Sequence, residues 1–308
     1  MDRKNEGDEE GNARFDKEVD LRKIFNILDG RYDDNVIAHD DYNAIRETIK
    51  RQLAQIKIAS QEVNSLLHVL EATTCTVPSS TNRSELVDVS LYDHSKTTAG
   101  LALCLYDYLE ERGISDYRKA LFSGNLSRSY YKERMFLLVS CDMSGIQDFI
   151  YDISGSKALK QLRARSLYLE LMMEHIVDEL LDRLSLNRTN VMYTGGGHAY
   201  LLLPNTLNAK NVLIQFKNEL KEWFVHEHGT NLFMAFASIE CSADDLSNAG
   251  EDKQRFPNLF RKLSAKLSNA KAMRYSAADI KAMNFAAQSH FDDGRECREC
   301  HRSTALAS

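Results

Sequence analysis

The sequence predicts an α+β fold, and two observations carry that prediction. Apolar residues recur at helical spacing through roughly the first 130 positions, and from Phe136 short apolar runs alternate with longer amphipathic stretches in the order β-α-β-β-α-β. That order is the ferredoxin-like arrangement. Tyr42, Ile45, Ile49, Leu53, Ile56 and Ile58 mark a first helix, and Val63, Leu66, Leu67 and Leu70 a second. The segment TTCTVPSSTNRSE is loop chemistry. A third helix is expected from about Ser90 to Glu111, stopped by Gly113. FLLVSCD then reads as a strand, and SGIQDFIYDI with GSKALKQLRARSLYLELMMEHIVDELLDRL as helix to about Leu184. NVMYT and HAYLLLP form a hairpin through Gly195, Gly196 and Gly197; a helix from about Asn208 to His226 and the strand LFMAFASIEC complete the unit. Beyond Cys241 the chain is helical and polar up to a terminal CRECH.

The chain has 308 residues, 43% hydrophobic and 27% charged, with only 3 Pro and 14 Gly. That suits two compact, helix-rich domains. Residues 1 to about 15 are polar and Gly/Glu/Asp-rich and are expected to be disordered. No apolar run reaches the roughly 20 residues of a membrane span, and the acidic amino terminus lacks the features of an export signal, so a cytoplasmic location is expected. Cys75, Cys104, Cys141 and Cys241 lie scattered and read as reduced thiols. The net charge of -6 argues against holding nucleic acid over the whole surface; Lys157, Lys160, Arg163 and Arg165 are the one local concentration of positive charge beside a candidate site.

Two places carry the chemistry. Asp142 ends the first strand, and Gly195 to His198 form the hairpin tip; in a palm domain that makes phosphodiester bonds these lie side by side, with carboxylates holding two Mg²⁺ ions. Here His198 stands where the hairpin would offer an acid, and one carboxylate is a poor Mg²⁺ cage. The glycine tip remains, open to a base, ribose or phosphate, and Ser144-Gly145 opens a helix beside it, so a nucleotide bound without activation is the expected role. The bland alternative is a sharp hairpin and nothing more. Lys160, Arg163 and Arg165 are candidates for triphosphate or RNA-backbone contact, or simply a solvated basic face.

DMSGIQDFIYDISGSKALKQLRARSLYLELMMEHIVDELL followed by NVMYTGGGHAYLLLP resembles the first palm domain of the Csm-type large subunit of type III-A CRISPR effector complexes, the Cas-ten family. EATTCTVPSSTNRSELVDVSLYDHSKTTAG resembles the helical segment before that palm, and together these stretches cover most of residues 60 to 240. The resemblance implies a partial HD-type helical domain over 1–132, the palm over 133–245, and the start of a helical zinc-binding insert over 246–308. It also implies a protein that assembles with CRISPR RNA, target RNA and other Csm-type subunits, cuts single-stranded DNA with an HD domain, and converts ATP to cyclic oligoadenylates between two palms with Mg or Mn. The second palm's GGDD hairpin does not occur in this sequence. Asp93 and His94 lie in the family-like DHS segment and are the candidates for an HD metal site, or for a helix cap; His39-Asp40 is a second HD dipeptide among polar residues. Cys297 and Cys300 form a CxxC, half of a zinc module, and with His301 also fit covalent haem attachment, for which no export signal is present. The alternative to an enzyme subunit is a catalytically inert scaffold that docks CRISPR RNA and neighbouring subunits.

Overall fold

The computed structural model describes residues 39–56, 63–80, 89–151, 158–247 and 254–287. The chain divides into two compact units, Met1–Thr98 and Ala99–Ser308. In the first, α1 (His39–Leu53) packs against α2 (Val63–Thr74), and His39-Asp40 opens α1. Leu91 N donates to Val77 O at 2.6 Å, and Pro78 bridges Ser90, so the chain is pinned just before α3 (Leu91–Glu111) begins.

The second unit is built on four antiparallel strands in the order β2-β3-β1-β4: β1 (Phe136–Ser144), β2 (Val191–Gly195), β3 (His198–Pro204) and β4 (Phe233–Cys241). Short α4 (Tyr117–Phe122) and α5 (Gly124–Lys132) lead into β1; α6 (Ile146–Tyr151) and α7 (Ala158–Arg183) follow it; α8 (Leu207–His228) joins β3 to β4. This is the β-α-β-β-α-β order read from the sequence. Thr206 Oγ1 accepts from Ala209 N at 3.1 Å to cap the start of α8, and Gly229, at φ 60°, ends it. After β4 come α9 (Ala243–Ser247), α10 (Arg255–Ala272) and α11 (Ala277–Ala287).

Alternation along the strands sorts their side chains to two faces. Leu137, Val139, Cys141 and Met143 meet Leu201 and Leu203 under Met173, Val177 and Leu180 of α7 and Leu213, Phe216 and Phe224 of α8. On the other face Phe136, Leu138, Ala235 and Ala237 lie under Leu259, Leu263 and Leu267 of α10, together with Cys104, Tyr108 and Leu109 of α3. Each Leu so buried contributes about 1.5–3 kcal/mol. Residues 99–132 share a compact unit with the sheet, and α10 roofs the sheet, because its apolar stripe at i, i+4 and i+8 has the second face to bury.

Asn190, fully buried, ties α3 to β3: its Nδ2 donates to Leu202 O at 2.9 Å and Gly100 O at 3.4 Å. Cys75, Cys104, Cys141 and Cys241 are free thiols. Burial pushes those of Cys141 and Cys241 up to about 12, which keeps them protonated and unreactive at neutral pH. Among the described residues no helix is long and apolar enough to cross a membrane. Residues 1–15 and the CRECH segment lie outside the described residues.

Candidate functional site

The register of β1 against β3 sets Asp142 directly opposite His198. His198 Nδ1 lies 2.8 Å from Asp142 Oδ2, and its Nε2 lies 3.0 Å from Ser140 Oγ, so the ring is held at both nitrogens. A cation reaches the same carboxylate: Lys271 Nζ, in the last turn of α10, is 2.5 Å from Asp142 Oδ1. Burial by itself would raise the Asp142 carboxyl, but the hydrogen bonds and charges of His198 and Lys271 outweigh it and hold the group below its ordinary value. The His198 ring packs 4.6 Å from Tyr200, which in turn meets Phe260 of α10 edge-on at 5.2 Å. Asp142 is thus an ionised carboxylate whose two oxygens are already engaged, Oδ2 by the His198 ring and Oδ1 by the Lys271 ammonium.

The hairpin tip and the start of α6 converge at this end of the sheet. Met143 N donates to Gly197 O at 2.8 Å. A Cβ on Gly197, at φ 80°, would stand 2.2 Å from Ile146 Cδ1, and one on Gly145, at φ 90°, would stand 1.8 Å from Asn231 O. Gly145 has no room for a side chain against that backbone carbonyl, whereas at Gly197 the end of the Ile146 side chain would have to shift, and the positive φ of both favours glycine. Gly196 differs: it too has positive φ, yet nothing lies within 4 Å of where its Cβ would be, so its backbone faces open space. The Ser144 hydroxyl has no hydrogen bond among the described residues. At six residues α6 is too short for its dipole to contribute much. What this arrangement offers a ligand is exposed backbone at Gly196, with Gly195 and Gly197 fixing the bend and the Ser144 hydroxyl nearby in the chain. A divalent cation does not fit at Asp142, because it would have one carboxylate and would have to displace the Lys271 ammonium.

The basic residues separate. Arg165 donates to Phe149 O at 2.5 Å and lies over the Phe149 ring, tying α7 to α6, whereas Lys160 and Arg163 are exposed. In the first unit Asp93 and His94 are both exposed at the start of α3. Ser90 caps α3, its Oγ accepting from the Asp93 amide at 3.0 Å and donating to the Asp93 carboxylate at 2.8 Å. Among the described residues no three His, Cys, Asp or Glu side chains are grouped to hold a metal. Cys297 and Cys300 lie outside the described residues. Sequence reasoning missed Ser140, Tyr200 and Lys271. The first two carry a signal, since they alternate with Asp142 and His198 along the same strands; Lys271 carries none, because its approach depends on where α10 packs.

The model of the family described as Csm1 subunit domain B matches residues 135–286. A CRISPR system single-strand-specific deoxyribonuclease Cas10/Csm1 (subtype III-A) from Enterococcus italicus is 43% identical over 98% of this chain, which spans 42% of that relative's length. A solved Csm1-Csm4 cassette in complex with pppApApA has a TM-score of 0.63 at 32% identity, covering 79% of this chain and 31% of that one. Another, in complex with AMPPNP, has a TM-score of 0.62 at 33% identity over 76% of this chain and 30% of its own. Strand order, glycine bend and these likenesses agree: the chain belongs to the Cas10/Csm1 family of type III-A CRISPR large subunits.

Proposed function

We propose that this chain supplies the non-catalytic, nucleotide-binding palm of a type III-A CRISPR large subunit, the half of an ATP pocket that positions a nucleotide without holding metal. The observation that carries this reading is the pairing of an open glycine bend at Gly196 with a carboxylate, Asp142, already hydrogen-bonded to His198 and paired with the Lys271 ammonium. A related cassette binds AMPPNP, which supports the ligand class. Gly195, Gly196, Gly197, His198, Ser144 and Gly145 line this half; Asp142 fixes His198 rather than a metal. Phosphoryl transfer to cyclic oligoadenylates would then take place against a second palm that holds Mg or Mn. Single-strand-specific DNA cleavage, zinc binding at Cys297 and Cys300, and assembly with CRISPR RNA and target RNA are further parts of this proposal, taken from the family. The hydrogen bonds that tie Asp93 to the Ser90 cap favour a structural role for the DHS segment over a metal site.

Titrating a fluorescent ATP analogue into the chain tests the reading. Saturable binding is expected, weakened at least about tenfold by Gly196→Asp, which sets a carboxylate where phosphate or ribose would approach; no ATP turnover is expected. Absence of saturable binding, or indifference to Gly196→Asp in a variant that still melts cooperatively, would leave the second reading: an inert scaffold, which the cassette structures with Csm4 favour. Cleavage of single-stranded DNA with Mn²⁺ that is abolished by His94→Ala would instead return the DHS segment to catalysis.

A further inference from the structure

β4 is an edge strand, covered at its Phe233 end by the chain that runs from Arg274 and Tyr275 to Asp279, which is tied to Lys221 of α8. β4 pairs with β1 alone, so its outer side has no strand neighbour. At the Phe136 end of the sheet, the opposite end from the glycine bend, this edge opens into a cleft of about 600 Å³, with Ser238, Ile239 and Glu240 on its floor. One wall is α8, with Lys210, Ile214 and Lys217; the other is α10, with Arg255, Lys262 and Lys266. Arg134 adds a sixth cation, against only Glu240 and Asp245 as acids.

These cations are not all used within the fold. Lys210 and Arg134 share Glu240, at 2.6 and 4.0 Å, and Arg255 lies 3.4 Å from Asp244. Lys217 and Lys262 have no hydrogen bond or ion pair among the described residues. Lys217 is exposed along its side chain, yet the surrounding chain strips enough hydration from it to lower its pKa, so it gains from a fixed anion. Lys266 Nζ donates to Ser238 O at 3.0 Å: an ammonium sits on the edge carbonyl that an added strand would take.

The chemistry of the cleft selects its occupant. Apart from Ser238 O, which Lys266 holds and an added strand would take over, the outward backbone groups of the β4 edge match those of another extended polypeptide. Side chains of such a strand alternate between the two faces, so carboxylates on one side meet the α8 cations and those on the other meet the α10 cations. Ile214, 57% exposed, and Leu259 offer apolar contacts between them. Single-stranded nucleic acid is the weaker fit, because no aromatic side chain lines the cleft to stack bases. We infer that the β4 edge docks an extended acidic segment of another polypeptide, which adds as a fifth strand beside β4 with its carboxylates between the cation rows of α8 and α10.

The test uses the full 308-residue chain and a labelled peptide of alternating Glu and Val, followed by fluorescence anisotropy. Saturable binding that weakens with salt is expected. It should fall at least about tenfold in the double variant Lys217→Glu with Lys262→Glu, whose side chains are unpaired and whose fold is checked by circular dichroism. Methylating alternate peptide nitrogens should abolish it. Unchanged binding of the methylated peptide would overturn strand addition, and so would no binding at all. Oligothymidylate binding more tightly than the peptide, with the same loss on charge reversal, would assign the cleft to nucleic acid and overturn the proposal. Nucleotide binding at the glycine bend should be unaffected by the double variant.

Discussion

At Gly197 a methyl group would stand 2.2 Å from Ile146 Cδ1 and force that side chain to shift, while at Gly196 the same group would meet nothing. The two glycines therefore separate steric from conformational cost. Gly196→Ala should cost about 1 kcal/mol for the left-handed backbone alone. Gly197→Ala should cost about 1–3 kcal/mol more from overpacking. In urea melts Ile146→Ala should recover part of the loss at Gly197 and none at Gly196; equal losses at the two glycines would contradict the packing described.

Asp142 makes a second prediction at this scale. Its carboxyl lies below its ordinary value in the folded chain because His198 and Lys271 outweigh burial. A depressed folded value means that its contribution to stability is complete above the unfolded value of about 4 and is lost as pH falls through the folded value. Lys271→Met should remove about 1 kcal/mol at neutral pH, after allowance for solvent screening, and should shift the acid limb of the unfolding curve to higher pH. An acid limb identical to that of the parent chain would show that Lys271 does not hold this carboxylate.

Among the elements, α10 decides most. Leu263, fully buried between sheet and helix, should cost about 2–5 kcal/mol when replaced by Ala. The Asn190→Ala variant should cost about 1–3 kcal/mol, because the Leu202 and Gly100 carbonyls lose a buried donor. Both are read from chemical denaturation, and a cost under half a kcal/mol at Leu263 would mean that the helix does not roof the sheet. At α11, Lys221 and the Ser276 cap hold the Asp279 carboxyl down at about 2, so the tie between α8 and α11 should persist in acid until pH falls toward that value.

Elements with local signals were legible in the sequence. FLLVSCD, the glycine bend and the long basic helix each announce themselves by period and by turn residues, and the structure has β1, β2, β3 and α7 there. Leu259, Leu263 and Leu267 announce a helix just as clearly, but a stripe does not say which surface it buries. The same gap hid the other half of the site: Asp142 and His198 were paired from strand order, while Lys271 reaches them only through the packing of α10.

At the scale of the whole molecule, the second unit is a sheet with two ends. One carries a glycine bend and a neutralised carboxylate, the other a cationic cleft beside an open strand edge. Resonances of the glycine amides in a heteronuclear NMR spectrum are well separated, so titrating ATP into the labelled chain reads the first end directly. The amides of Gly196, Gly197 and Gly145 should shift together and saturate, with Ser238 and Glu240 unmoved. Shifts confined to the β4 edge, or none at all, would contradict a nucleotide site at the bend.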